Sequence, residues 1–306
     1  MAIHDILDKR QYRRTFYVIV LLLAAILILL RYFAIPLWDQ SLSLTAASLL
    51  ARLLEALLAS LAVTVAIGWF LFWLTPDIMR ISAVEVIEPR EISPLLESAM
   101  RATQMWWYKG GTGRYLRAKT IPDIAKRART ASLSREINVL ILDPTNRDLC
   151  EAYANYRRSL KSAREEKAPW TFERVQRELY ATILFVAAVR SAEPLLRITL
   201  SLTQHLSSFR FDLSSEYVIV TKEDKTAPAV RCDKGTYFYN SYLDEMVLIQ
   251  RMAKSITLPR TISPLTTITR DEVRSFFATS GCSFDLDDHA VEEIIALART
   301  SKNPYE

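Results

Sequence analysis

Residues 15–75 read TFYVIVLLLAAILILLRYFAIPLWDQSLSLTAASLLARLLEALLASLAVTVAIGWFLFWLT, and their reading decides which solvent the rest of the chain meets. From Thr15 to Leu30 there is no charge, and after Arg31 the apolar run continues through Tyr32, Phe33, Ile35, Leu37 and Trp38. A second uncharged run, Ala56 to Thr75, carries the aromatic tail Gly68-Trp69-Phe70-Leu71-Phe72-Trp73. About 20 apolar residues at about 1.5 Å each cross a hydrocarbon core of about 30 Å. Residues 1–80 are therefore expected to form a two-helix transmembrane hairpin. A cleaved signal peptide fits poorly, because a second span follows and no small-residue cleavage site interrupts the first.

Charge sets the expected orientation. Lys9, Arg10, Arg13 and Arg14 crowd the end before the first span, whereas the connection around Asp39 and Gln40 has no Lys or Arg until Arg52. The positive-inside rule then keeps the N-terminus in the cytoplasm, and two crossings return the chain there, where Arg80, Arg90 and Arg101 follow. Trp38, Trp69 and Trp73 stand where interfacial aromatic belts are expected. Cys150, Cys232 and Cys282 then lie on the reducing side, without zinc-site spacing. Helical periodicity beginning near Leu42 makes the second helix roughly 50 Å long. Its Arg52 and Glu55 share a face and are expected to pair, as an interfacial ion pair or as a polar seam between protomers of an oligomer. Small residues such as Ala51, Ala59, Ser60 and Ala62 would permit close helix contact there.

The chain has 306 residues and a net charge of +5, and the positive excess is local. Lys109, Arg114, Arg117, Lys119, Lys126, Arg127, Arg129 and Arg135 form one cluster; Arg157, Arg158, Lys161, Arg164 and Lys167 form a second, offset by Glu165 and Glu166. Such clusters are solvated helix faces, contacts with anionic lipid, or contacts with nucleic acid.

After the apolar stretch, strands and helices alternate. Ile92 to Met105 reads as a helix with Ser93 as its cap and Pro94 in its first turn, and Met105-Trp106-Trp107-Tyr108 as a strand. Lys109-Gly110-Gly111-Thr112-Gly113 follows, holding three of the six glycines, so the backbone there needs positive φ or close approach to something. The loop is neither a Walker loop nor a GxGxxG turn. It is either a plain tight turn or an anion site built on backbone N–H groups with Lys109 and Arg114. Glu136 to Leu142 is the clearest buried strand, and Thr145 with Asp148 then fits a capping box or, at a strand's carboxyl end, a ligand site. A helix over Pro169 to Val189, strands over Leu195–Leu202, Phe209–Leu213, Tyr217–Thr221 and Ala229–Cys232, and a helix over Tyr237–Ile256 complete an α/β layered domain, 81–260. Residues 261–306 read as a helical pair too small to stand alone. No cofactor motif appears, and the acidic run Asp285 to Asp288 lacks the spacing of a calcium loop, so no metal site is expected.

Tyr108 to Leu116, Ile137 to Pro144, Tyr153 to Arg157, Phe209 to Thr221 and Tyr237 to Glu245 together resemble, in spacing, a phospholipase-D-like domain of the degenerate kind. Enzymes of that family use His-x-Lys-x-x-x-x-Asp, and the matching positions here are Phe209, Phe211 and Glu216. The histidines are His4, His205 and His289, none followed two residues later by lysine, so catalysis by that route is not expected.

The architecture as a whole resembles the two-transmembrane effectors of bacterial anti-phage defence, particularly those encoded with retrons. That resemblance implies an inner-membrane toxin with both termini cytoplasmic, acting as a homo-oligomer. It would be restrained by a partner containing nucleic acid, a reverse transcriptase with its DNA or RNA, until infection triggers membrane permeabilisation and abortive infection. Lys109, Gly110, Gly111, Gly113, Arg114, Arg117, Arg127 and Arg129 are the expected partner or ligand surface, with a cyclic nucleotide as another ligand. Two rival readings stand beside it: a non-toxic membrane-tethered nucleotide or nucleic-acid sensor or scaffold, and a tethered hydrolase using Asp143 and Glu216 as acid and base.

Overall fold

The computed structural model describes residues 10–34, 44–74, 82–162, 168–282 and 285–300 and divides the chain into two compact units, Met1–Met79 and Arg80–Glu306. The expectations placed on Lys9, Trp38, Asp39, Gln40, Arg80, the Arg164–Lys167 part of the second basic cluster, and the last six residues lie outside the described residues.

In the first unit, helix α1 (Arg10–Leu29) runs into a π turn (Leu30–Ala34), and helix α2 spans Leu44–Leu74. Among the described residues one segment is long and apolar enough to cross a membrane, Leu49–Phe70 within α2, with 6% of its most apolar window buried. This corrects the two-helix transmembrane hairpin. The uncharged α-helical part of α1 extends only from Thr15 to Leu29, about 22 Å at 1.5 Å per residue, against the roughly 30 Å of a hydrocarbon core. Arg31 then falls in the π turn, so the apolar run that looked continuous in sequence is not one straight helix. The expectation that both termini share one side depended on two crossings and loses that support. Arg52 and Glu55 are both exposed on α2.

The second unit is built on an eight-stranded mixed sheet in the order β1-β7-β6-β5-β2-β3-β4-β8. The strands are β1 (Glu85–Ile87), β2 (Met105–Lys109), β3 (Arg135–Leu142), β4 (Leu196–Thr203), β5 (Phe209–Leu213), β6 (Tyr217–Lys222), β7 (Ala229–Asp233) and β8 (Lys254–Ser255). β2, β3 and β4 run parallel, and every other neighbouring pair is antiparallel. The edges are thus three and two residues long. Parallel strands need crossover helices, supplied by α3 (Pro89–Ala102) before β2, α4 (Ile121–Ala131) between β2 and β3, and α5 (Arg147–Ser159) with α6 (Phe172–Ala192) between β3 and β4.

One face of the sheet carries Trp106, Ile137, Val139, Ile141, Ile198 and Leu200 into the main core with Leu179, Ile183 and Val186 of α6. The other face carries Trp107, Phe211, Leu213, Val218 and Val220 against Tyr239 and Met246 of helix α7 (Tyr237–Met252). The C-terminal helices α8 (Arg270–Ser280) and α9 (Asp288–Arg299) belong to the main core: Phe277 lies 5.0 Å from Tyr180 of α6, nearly perpendicular to it. Thr269 and Asp287 cap them, accepting from the N–H groups of Glu272 at 3.3 Å and Ala290 at 2.7 Å.

Candidate functional site

The carboxyl ends of parallel β2, β3 and β4 lie side by side, and the chain leaves them in opposite directions. The loop after β2 leads toward β3, whereas the loop after β4 returns across β2 to begin β5 on its far side. Open α/β sheets place ligands at such a switch point. Here the crevice is nearly filled. Lys109, Gly110, Leu142, Thr203, His205 and Phe209 surround a space of about 10 Å³, enough for a single water.

The glycine loop explains the filling. A Cβ on Gly110 would stand 2.3 Å from the Tyr108 hydroxyl, and one on Gly111 would stand 2.3 Å from the Tyr153 ring, so two phenols, not a ligand, require these glycines. Gly110 N–H donates to the Leu140 carbonyl at 3.1 Å. Gly111 N–H donates at 3.1 Å to a carboxylate oxygen of Glu223, and Arg157, buried on α5, donates to the Glu223 carbonyl and lies 3.5 Å from its second carboxylate oxygen. The loop therefore does hold an anion, supplied by the turn between β6 and β7. Burial, and next the Glu223 charge, push the Tyr108 and Tyr153 phenols well above their usual range. Beside them Arg210 Nε donates to Asp212 Oδ2 at 2.9 Å; burial raises the Asp212 pKa although Arg210 opposes the shift.

Gly113, at φ 73°, accepts the Arg117 N–H at 3.0 Å as the chain enters the π turn Leu116–Thr120. Arg117 is buried and reaches α6, donating to the Glu178 carbonyl at 2.6 Å and to Thr182 Oγ1 at 2.7 Å, and it pairs with the Glu178 carboxylate. Arg114 Nε sits 3.7 Å from the same carboxylate, and its guanidinium packs on Trp170, as do those of Arg157 and Arg174 at 4.7 and 4.2 Å. Arg129 pairs with Glu193. The expected partner surface is thus dispersed: Arg114 and Arg117 hold α6 to the π turn, Arg129 is engaged elsewhere, and Arg127 faces a different concavity.

The three positions matched to the phospholipase-D motif are not brought together. Phe209 begins β5 at the carboxyl end of β2, and Phe211 packs 5.4 Å from Tyr242 under the Lys109 ammonium, which is 5.0 Å from its ring. Glu216 lies beyond the other end of β5, about 17 Å of strand away, in the turn where Ser215 Oγ accepts from the N–H groups at the start of β2. Burial also lowers the Lys109 pKa. Asp143 follows β3 with its oxygens occupied by Thr145 N–H at 2.9 Å, Thr145 Oγ1 at 2.7 Å and Gln204 Nε2 at 2.7 Å. It lies at the carboxyl end of the parallel strands and Glu216 beyond their amino end, so the two do not form an acid–base pair. The cap of α5 is Asn146, which accepts from Leu149 N–H at 3.0 Å, in place of the expected Thr145.

The concavity that Arg127 faces is an open cleft of about 580 Å³ between α3 and α4, lined also by Arg101, Lys119, Lys126 and Arg135. Its two carboxylates, Glu97 and Asp123, lie 3.6 and 3.3 Å from Lys119. Arg135, the first residue of β3, is buried and donates to the Thr103 carbonyl; burial, and then the Arg127 charge, lower its pKa.

Sequence reasoning had no signal for Glu223, which lies between the expected strands Tyr217–Thr221 and Ala229–Cys232, or for Trp170 as the surface on which arginines stack. Arg101 and Arg135 stand in sequence at the ends of separate elements, and only the fold brings them to one cleft.

No family model matches the chain, and no curated protein does. Among solved structures it is similar to TrmBL2, an archaeal chromatin protein whose structure shows a novel mode of DNA binding. The identity is 10%, the TM-score 0.32, and the similarity covers 66% of this chain and 65% of that one, a likeness too low to assign a fold or a function.

Proposed function

We propose that the chain is a membrane-anchored, non-catalytic effector whose α/β unit receives an anionic partner and whose α2 helix acts at the bilayer. The observation that carries this reading is α2. Leu49, Leu53, Leu57, Val63, Ile67 and Trp69 are each more than half exposed along it. Covering such side chains is worth about 1.5–3 kcal/mol apiece, and a patch of this extent on a lone chain marks a lipid or protein contact. The length of Leu49–Phe70, 22 residues or about 33 Å, favours lipid. Phe209 and Phe211 at the motif positions, and the separation of Asp143 from Glu216, favour binding over turnover. Cys150, Cys232 and Cys282, buried with free thiols, suit a cytoplasmic location for this unit. The resemblance to anti-phage effectors adds the output: membrane damage in an infected cell, restrained beforehand by a nucleic-acid-containing partner.

Expression of the whole chain in growing bacteria, with a membrane-potential dye and alkaline extraction of the membranes, tests both halves. The chain should stay in the extracted membranes and collapse the potential, and Leu57→Arg with Val63→Arg should abolish both effects. Release into the alkaline supernatant would remove the anchor. Membrane retention with an intact potential would replace the toxin by the tethered sensor or scaffold.

A further inference from the structure

We infer that the cleft between α3 and α4 binds a small oligophosphate, held through its phosphates alone. The first ground is an imbalance of charge. Lys119 lies against both carboxylates of the lining, and Arg101, Lys126, Arg127 and Arg135 make no ion pair among the described residues. Arg135 is only 8% exposed, and its Nε and that of Arg127 are buried without a hydrogen-bond partner among the described residues. Two guanidiniums near enough to repel, one of them desolvated, are an arrangement that costs stability unless an anion answers it.

The second ground is shape and chemistry. A volume of about 580 Å³ falls within the range of small-molecule sites, and arginine forks match phosphate oxygens in pairs. The lining contains no aromatic side chain, so a nucleobase would find no surface on which to stack. What the cleft can read is a closely spaced set of phosphate charges. The inference rests on the effector reading for its meaning in the cell, since it names the class of anion that the α/β unit would receive, but the binding measurement is independent of the membrane assay.

The test is calorimetric titration of the whole chain, in nonionic micelles, with inorganic tripolyphosphate. Binding should weaken as salt rises, and Arg127→Glu should reduce affinity about tenfold or more, the loss of one charge-assisted contact. Arg101→Glu and Lys126→Glu, both at exposed positions, should each weaken binding with the thermal melt unchanged, whereas Lys234→Glu, outside the cleft, should not. ATP should bind no more tightly than tripolyphosphate. Absence of binding at about 1 mM tripolyphosphate, or affinity unchanged from the parent in all three cleft variants, overturns the inference. Tighter binding of ATP, lost in the cleft variants, overturns recognition through phosphates alone, and tighter binding of a nucleic-acid duplex or of anionic vesicles, lost in the same variants, overturns the small-ligand assignment. Loss of tripolyphosphate binding with retention in the membrane and loss of potential would leave the effector reading standing; the converse result would remove that reading and keep the site.

Discussion

Replacing Arg117 with methionine should be among the most damaging single changes in the α/β unit. Its side chain is 2% exposed and that of Glu178 is 6%, so the substitution leaves a carboxylate inside the protein with Arg114, at 3.7 Å, as the cation still beside it. It also removes the donors to the Glu178 carbonyl and Thr182 Oγ1 that fasten the π turn to α6. Stranding one member of a buried ion pair costs about 3–5 kcal/mol. At roughly 2–4 °C per kcal/mol for a unit of this size, the melting temperature should fall by about 6–20 °C. The double variant Arg117→Met with Glu178→Met removes both charges and puts apolar volume in their place, a change that is often neutral or favourable in other proteins. It should therefore melt well above the single variant. Near-ultraviolet circular dichroism of the whole chain in micelles follows the transition. A single variant melting within about 2 °C of the parent, or a double variant no better than the single, would show that this pair does not hold the π turn in place.

Gly111→Ala should cost about 1–3 kcal/mol through the 2.3 Å approach to Tyr153, and Tyr153→Ala in the same chain should recover part of the loss, read by thermal melts. Lys109→Met should stabilise the unit at neutral pH. Burial lowers the folded pKa of Lys109 below its ordinary 10.5, so between those two values the unfolded chain binds more protons and stability rises with pH; the variant should lack that rise in a series of melts up to pH 10.5. Thr269→Ala should remove the cap of α8 and lower stability by about 1 kcal/mol, measured by denaturant midpoint.

Strand β3 was legible because an apolar run, broken only by Asn138, is what a strand buried on both faces looks like; its limits, Arg135–Leu142, differ by one residue from the expected Glu136–Leu142. The helix expected over Pro169–Val189 was legible too; α6 spans Phe172–Ala192, and Thr171 is its cap. The glycine cluster did signal close approach, and the partners turned out to be Tyr108 and Tyr153. Less legible was any feature that depends on contact across the fold. Helix α3 begins at Pro89, not at Ser93, and places Pro94 inside it. Helix α7 stops at Met252 because Lys254–Ser255 pairs with β4, a contact local propensity does not encode. Glu223 reaches Gly111 over 112 positions of sequence. The apolar stretch misled for a related reason: hydropathy counts residues and does not register the change of helical type at Leu30 that ends α1.

The short outer strands would have a consequence for a chain anchored at a membrane as proposed. Anchoring concentrates molecules in two dimensions and aligns them, the conditions under which open sheet edges add strands from a neighbour. Here a neighbouring sheet would find three residues at β1 and two at β8, too few for a ladder stable by itself. Crowded copies can therefore meet repeatedly without zipping into a continuous sheet, and any ordered array they form must be joined by side chains or by α2. Lengthening β8 by a few alternating valines and threonines would remove that safeguard, and aggregation of anchored copies would then depend on their surface density.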